Sequence, residues 1–243
     1  MLSDGRRPAL AFEMLDTGQA EGLARALASA NVTAEAVEEA TSWKKSGWPD
    51  FTLYRPIFQA GLEARLELVA ANLPRSVARE AVRKGLEPLP ADVRSLLEGA
   101  GELSAPELAA WAKEMEENHC GELPRELLEG LVRAQRARDA QMALQLSAGD
   151  RDGRGAVLIT GDGHARSDRG VPAWLARLRP GRVLLSVALL EADPERRWPR
   201  QYAEPFGAVR FPFDYVIFTP RAEREDPCEQ LRRRSREAAV KAQ

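Results

Sequence analysis

The sequence predicts an α/β fold, a mainly parallel β-sheet with helices on both faces and a helical insertion, in one domain spanning residues 1–243. Three observations carry this. Five short apolar runs lack polar alternation, as strands covered on both faces do. Segments of helical composition separate the runs, which makes βαβ units the economical arrangement. A chain of 243 residues that is 44% hydrophobic and 30% charged is long and apolar enough to build a full core without stapling.

The first run is Ala9 to Leu15 (ALAFEML), followed by Leu66 to Asn72 and Gly155 to Gly161. Arg182 to Glu191 and Asp214 to Pro220 complete the set, the last being the richest in β-branched and aromatic residues. Between them, helices are expected over Gln19 to Ala30, Thr33 to Trp43, Pro56 to Arg65, Pro74 to Lys84, Pro106 to Glu117 and Pro124 to Leu146. Four of these open with Pro, which suits the first helical turn because an N–H there has no helical acceptor. The strand-free stretch of about 74–146 reads as the helical insertion. No internal repeat occurs at solenoid periods.

Composition excludes several function classes. Lys plus Arg at 35 against Asp plus Glu at 37 leaves a net charge of −2, so no global field draws nucleic acid. The tail RRRSREAAVKAQ reads as a solvated helix. No run reaches the roughly 20 apolar residues of a membrane span, and the first residues lack the apolar core of a secretion signal. As written, the chain is expected to be cytoplasmic. Cys120 and Cys228 are its two cysteines, far apart and without a CxxC or CxxCH pattern, so neither a disulfide framework, a Cys-rich zinc site nor covalent c-type haem is expected.

In an open parallel sheet, ligands sit beyond the carboxyl ends of the strands. Here those ends are polar: Glu13, Asn72, and the run Gly161, Asp162, Gly163, His164. A carboxylate, an amide and an imidazole on one edge suit metal ligation or acid and base work, with Glu13 and His164 as the leading pair. GDGHARSDRG fails as a dinucleotide fingerprint because Arg166 stands where a third glycine belongs. Gly161 and Gly163 are instead expected to form a tight strand exit that lets backbone approach a ligand and presents His164.

The helix after Pro124 carries a stripe of Leu128, Val132, Gln135, Asp139, Met142 and Leu146, in which two polar residues interrupt an apolar face. Either Gln135 and Asp139 line the floor of a site, or the stripe is rotated and both lie at a rim. A buried polar group needs a partner. His119, in a loop ending at Gly121, is the second of two histidines, and any two-histidine site must use both. It is equally suited to capping its helix. Tyr54, in the aromatic cluster WPDFTLYRPIF, has a phenol able to ligate ferric haem or simply to pack. No serine elbow or cysteine nucleophile pattern is present.

Taken together, AFEMLD, WPDFTLYRPIF, VAANLPR, NHCGELP, QRARDAQMA, GDGHARSDRGVP and FDYVIFTPRAEREDPCEQLR resemble the ChaN-like family of iron-regulated, haem-binding bacterial proteins. The resemblance runs from about Ala9 to Arg232. It implies an α/β fold related to the Tiki and erythromycin-esterase superfamily, with a Glu and histidines at one sheet edge, positions matched here by Glu13 and His164. It implies a haem or iron binding protein for uptake or storage; because the chain is poor in histidine and has no CxxCH attachment, haem is then expected between protomers of a homodimer or on an exposed apolar patch. Candidate haem- or ligand-binding residues are then His164, His119, Tyr54, Asn72, Gln135, Asp139, Gly161 and Gly163. The alternatives are a Tiki-type hydrolase using a divalent metal on Glu13 and His164, or a shortened, inactive form. Relatives begin with a further strand ending in a Gly-Glu-x-His-Asp type segment, which this sequence lacks, and often with a lipoprotein signal. An upstream segment of that kind would place the protein in the cell envelope.

Overall fold

The computed structural model describes residues 5–207, 210–223, 225, 226, 228–230, 232 and 233. Beyond residues 232 and 233, the expected tail helix lies outside them. The expected α/β class holds. Strand β1 (Ala9–Asp16) lies between β2 (Leu68–Asn72) and β3 (Ala156–Ile159), parallel to both. The other two strands, β4 (Val187–Glu191) and β5 (Tyr215–Thr219), form a separate parallel pair.

Side-chain alternation along β1 assigns the two faces of the three-stranded sheet. Leu10, Phe12 and Met14 point one way, with Leu68 and Ala70 beside them, into a core closed by α1 (Ala20–Leu27), α2 (Ala34–Ala40) and α3 (Arg55–Glu63). Phe12 stacks there on Phe58 with ring centroids 4.0 Å apart. Ala11 and Ala71 point the other way, toward α4 (Arg75–Lys84), α5 (Ala91–Ala100), α7 (Leu128–Gly149) and α9 (Val171–Leu178). Glu13 shares the parity of Ala9 and Ala11, so β1 aims this carboxylate at α7. The close fit on this side is set by glycine: a Cβ on Gly149 would stand 2.8 Å from that of Ala9, and one on Gly130 would strike the Val82 carbonyl.

Several boundaries differ from expectation for identifiable reasons. The run from Arg182 becomes strand only at Val187, because its partner β5 begins opposite that residue. Helix α2 ends at Ala40, since Ser42 adopts a left-handed φ of 51° that no helix can continue. Helices α5 and α9 were not expected from the sequence; Pro90 precedes the first and Pro172 lies in the first turn of the second. Between β2 and β3 run α4, α5, α6 (Ala105–Asn118) and α7. The short α8 (Asp162–Ala165) follows β3, and α10 (Pro199–Ala203) lies between β4 and β5. No helix of the described residues is long and apolar enough to cross a membrane.

One expectation is corrected. Cys120 and Cys228 form a disulfide across 108 residues, with Cα atoms 5.7 Å apart. Their separation gave no hint of pairing. The bond arises because the turn that ends α6 meets the segment beyond β5, a tertiary approach without a local spacing signature. The cross-link closes a long loop and restricts the unfolded chain. Thiol titration in denaturant is expected to find no free cysteine before reduction, and reduction is expected to cost about 2–4 kcal/mol of stability, read as a lowered Tm. Free thiols in the unreduced protein would contradict this.

Candidate functional site

At the carboxyl end of β1, four ionisable side chains meet. Glu13 accepts a hydrogen bond through Oε1 from Nη2 of Arg138 at 2.8 Å, and the His164 Nε2 lies 3.4 Å from the same oxygen. Its Oε2 accepts from the Thr160 hydroxyl and from the Gly161 backbone N–H, both at 2.7 Å. On the far side of the imidazole, Nδ1 of His164 lies 2.6 Å from Oδ1 of Asp139. Both ring nitrogens therefore face carboxylates. The amide nitrogen of Gln135 stands 3.2 and 3.1 Å from the two ring nitrogens. Near-equal short distances place it over the ring face, since an in-plane position would collide with the carbon between them.

Each element contributes through its own geometry. Glu13 comes from the α7-facing side of β1. Positions 135, 138 and 139 of α7 are neighbours on one helical surface because residues three and four apart lie together. His164 arrives on α8, directly beyond β3. Asn72, ending β2, donates to the Glu13 carbonyl at 2.9 Å and accepts from the Leu73 N–H and from Nε of Arg138. Beneath α8, the Ser186 hydroxyl donates to the Ala165 carbonyl, and the Ser186 N–H donates to Asp214 at 2.7 Å. This couples the smaller sheet to the loop that carries His164.

The electrostatics follow from the pairing. Burial works to raise the Glu13 carboxyl, but the His164 hydrogen bond and charge, Arg138 and the Gly161 N–H outweigh it and hold the group at about 2. Burial opposes a proton on His164, yet Asp139 and Glu13 together push it up to about 9. Asp139 is fully buried, and burial raises its carboxyl above the ordinary range against the pull of His164 and Arg138. Its Oδ2 has no hydrogen-bond partner among the described residues. Near neutrality His164 is an imidazolium with both N–H groups directed at acids, and it has no free lone pair.

The structure thus brings together Glu13, His164, Asn72, Gln135, Asp139 and Gly161. The stripe on α7 takes the floor arrangement, with Asp139 buried. Tyr54 lies at the margin, half-buried against Trp43 and Trp48; burial raises its phenol, and the nearby Glu13 charge raises it further. His119 is not drawn in: it ends α6, where Nδ1 lies 2.8 Å from the Met115 carbonyl. Gly161 joins through its N–H, and neither it nor Gly163 takes a positive φ. A Cβ on Gly163 would meet nothing within 4 Å. Among the described residues, no group of three His, Cys, Asp or Glu is arranged to hold a metal ion.

Two residues of the cluster escaped sequence reasoning, Arg138 and Thr160. Arg138 was legible in principle: an acid closing a buried strand requires a cation, and Arg138 stands three residues after Gln135 on the same surface. Thr160 gave no signal.

Comparison with known proteins bears on the family and the fold. A family model described as haem-binding uptake, Tiki superfamily, ChaN matches residues 1–175. The chain belongs to this family. No curated protein matches the chain. Among solved structures, that of cofacial haem binding to ChaN of Campylobacter jejuni is similar, with a TM-score of 0.57 and 20% identity, covering 80% of this chain and 71% of that one. At this identity the likeness is one of fold.

Removing one member of the cluster strands its partners. His164→Leu leaves two buried carboxylates with Arg138 alone and is expected to cost about 3–5 kcal/mol, measured by denaturant unfolding. Stability should also depend on pH in a stated direction. The raised His164 pKa adds stability fully present below about 6.5 and lost as pH rises through about 9, and the raised Asp139 pKa acts in the same sense. The lowered Glu13 pKa adds stability present above about 4.5 and lost as pH falls toward about 2. Tm is therefore expected to be greatest near pH 4.5, where the Glu13 contribution is complete and the Asp139 loss, which starts above 3.8, has only begun, and to fall toward pH 9, with the part of the fall between about 6.5 and 9 much reduced in His164→Gln. An unchanged alkaline limb in that variant would contradict the assignment.

Proposed function

We propose that this protein binds haem at the margin of the cluster, as part of iron acquisition, with Tyr54 as the residue that meets the iron. The observation that carries the reading is a division of labour within the site. His164, the residue best suited by type to ligate iron, is protonated and held between two acids, whereas the Tyr54 phenol stands half-buried at the edge with no hydrogen bond to the described residues. The donor set fits the group: a phenolate is a hard oxygen ligand for ferric haem. Trp48 and the exposed Leu53 beside Tyr54 offer apolar surface for a macrocycle. Arg75, whose guanidinium reaches the Ser46 carbonyl from an exposed position, offers a cation for a propionate.

When bound, haem would supply the iron and its spectroscopic and redox chemistry. The chain's own residues do the rest. Tyr54 must lose its proton to bind ferric iron, and the Glu13 charge opposes that loss. Arg138 and His164 offset Glu13 and so keep the phenol within reach of ionisation. On this reading Glu13, Asp139 and His164 position the loop rather than touch the ligand. The Cys120–Cys228 bond supports an oxidising compartment, such as the cell envelope, as the place of action.

Titration with ferric haem, followed at the Soret band, tests this. Wild type is expected to bind with a shifted band, Tyr54→Phe to lose at least about tenfold in affinity with an altered band, and His119→Ala to match wild type. Equal spectra for wild type and Tyr54→Phe would overturn the ligand assignment, and no band shift in wild type would overturn the function.

A further inference from the structure

Helices α1, α2 and α3 leave a cavity of about 660 Å³ between them, against the core that Phe12 and Phe58 fill. A volume in this range is that of a small-molecule site. Its floor is apolar: Leu27 ends α1, Val32 lies in the loop before α2, and Leu62 and Leu66 flank the end of α3, all half-buried and packed on that core. The charged lining residues are exposed and stand at the rim, where they are unevenly satisfied. Arg55 pairs with Glu35 at 2.8 Å, and Gln59 donates to Glu63 at 2.9 Å. The guanidinium of Arg65, which also lines the cavity, has no hydrogen bond or ion pair with the described residues. The backbone at Arg65 stands in the left-handed region, with φ 51°. There it closes α3: the Arg65 N–H donates to the Leu62 carbonyl and the Leu66 N–H to the Gly61 carbonyl, both at 2.9 Å, the paired bonds of a Schellman motif. Glycine adopts this conformation without steric cost, so the turn itself gains nothing from an arginine. What the arginine adds is a free cation at the rim of an apolar cavity.

We propose that this cavity binds a small amphiphile with an apolar body and one carboxylate, of the medium-chain fatty-acid class. The floor takes the apolar chain out of water, and Arg65 offers the planar fork that matches a carboxylate. One free guanidinium fits a monoanion. A dianion such as a phosphate monoester would bring its second charge among Glu35 and Glu63, which line the same rim. Tyr54 does not line this cavity, so the inference does not rest on haem binding.

Calorimetric titration of the full chain with dodecanoate, kept below its micelle-forming concentration, tests this. Wild type is expected to bind a single equivalent with Kd on the order of 10 µM, and to bind dodecyltrimethylammonium, the same chain with a cationic head, at least about tenfold more weakly. The methyl NMR signals of Val32 and Leu62 are expected to shift with dodecanoate. Arg65→Gly is expected to weaken dodecanoate binding at least about tenfold while raising Tm by about 2 °C, a combination that a structural role for the arginine would not give. Its haem titration should match wild type, so that failure here and failure of the Tyr54 reading are told apart. No binding of dodecanoate by wild type up to about 1 mM overturns the proposal. So does binding that Arg65→Gly leaves unchanged, binding that shifts Leu185 and Leu189 of the smaller sheet instead of Val32 and Leu62, or a lower Tm in Arg65→Gly.

Discussion

Two acidic and two basic side chains, meeting at the carboxyl end of β1, tie three elements of this fold together at the polar edge of its sheet. Glu13, Arg138, His164 and Asp139 pair acid with base, each within reach of at least one opposite neighbour. Isolated, any of them would be costly to bury; together they tolerate burial because every charge meets another at hydrogen-bond distance or close to it. The arrangement joins the central strand, the longest helix and the loop after β3, three elements distant in sequence. Loss of one member is therefore a tertiary event and not a local one.

The same pairing decides which groups remain for a ligand. An imidazolium flanked by two acids is a structural cation, and its ring face is occupied by Gln135. The reactive possibilities move outward, to the half-buried phenol of Tyr54 and the aromatic and apolar surface around it. On the proposed reading the cluster acts through electrostatics and position: it compensates Glu13, and it fixes the loop of α8 through which the smaller sheet is attached.

Much of this was legible in the sequence because polar residues in apolar contexts are conspicuous. Glu13 and Asn72 each end an apolar run, His164 follows the third, and Gln135 and Asp139 break an apolar helical stripe; topology then brings them together. Arg138 was hidden because an arginine on a long, arginine-rich helix looks like any solvated charge until its partner is known. The glycines around His164 suggested a strained strand exit, whereas the backbone there is ordinary and the glycine that matters contributes an N–H. The disulfide was invisible because nothing local marks two cysteines 108 residues apart. The division of five strands into two sheets depends on which edges meet, and apolar runs carry no information about edges.

The account stands on a buried, doubly paired imidazolium at position 164. The direct measurement is the nitrogen-15 NMR titration of the two imidazoles, assigned with His119→Gln. The account predicts that both His164 nitrogens carry protons at neutral pH and release one only near pH 9. A single-proton ring titrating near the ordinary value of 6.5 would contradict it, and would return His164 to the set of groups free to bind iron.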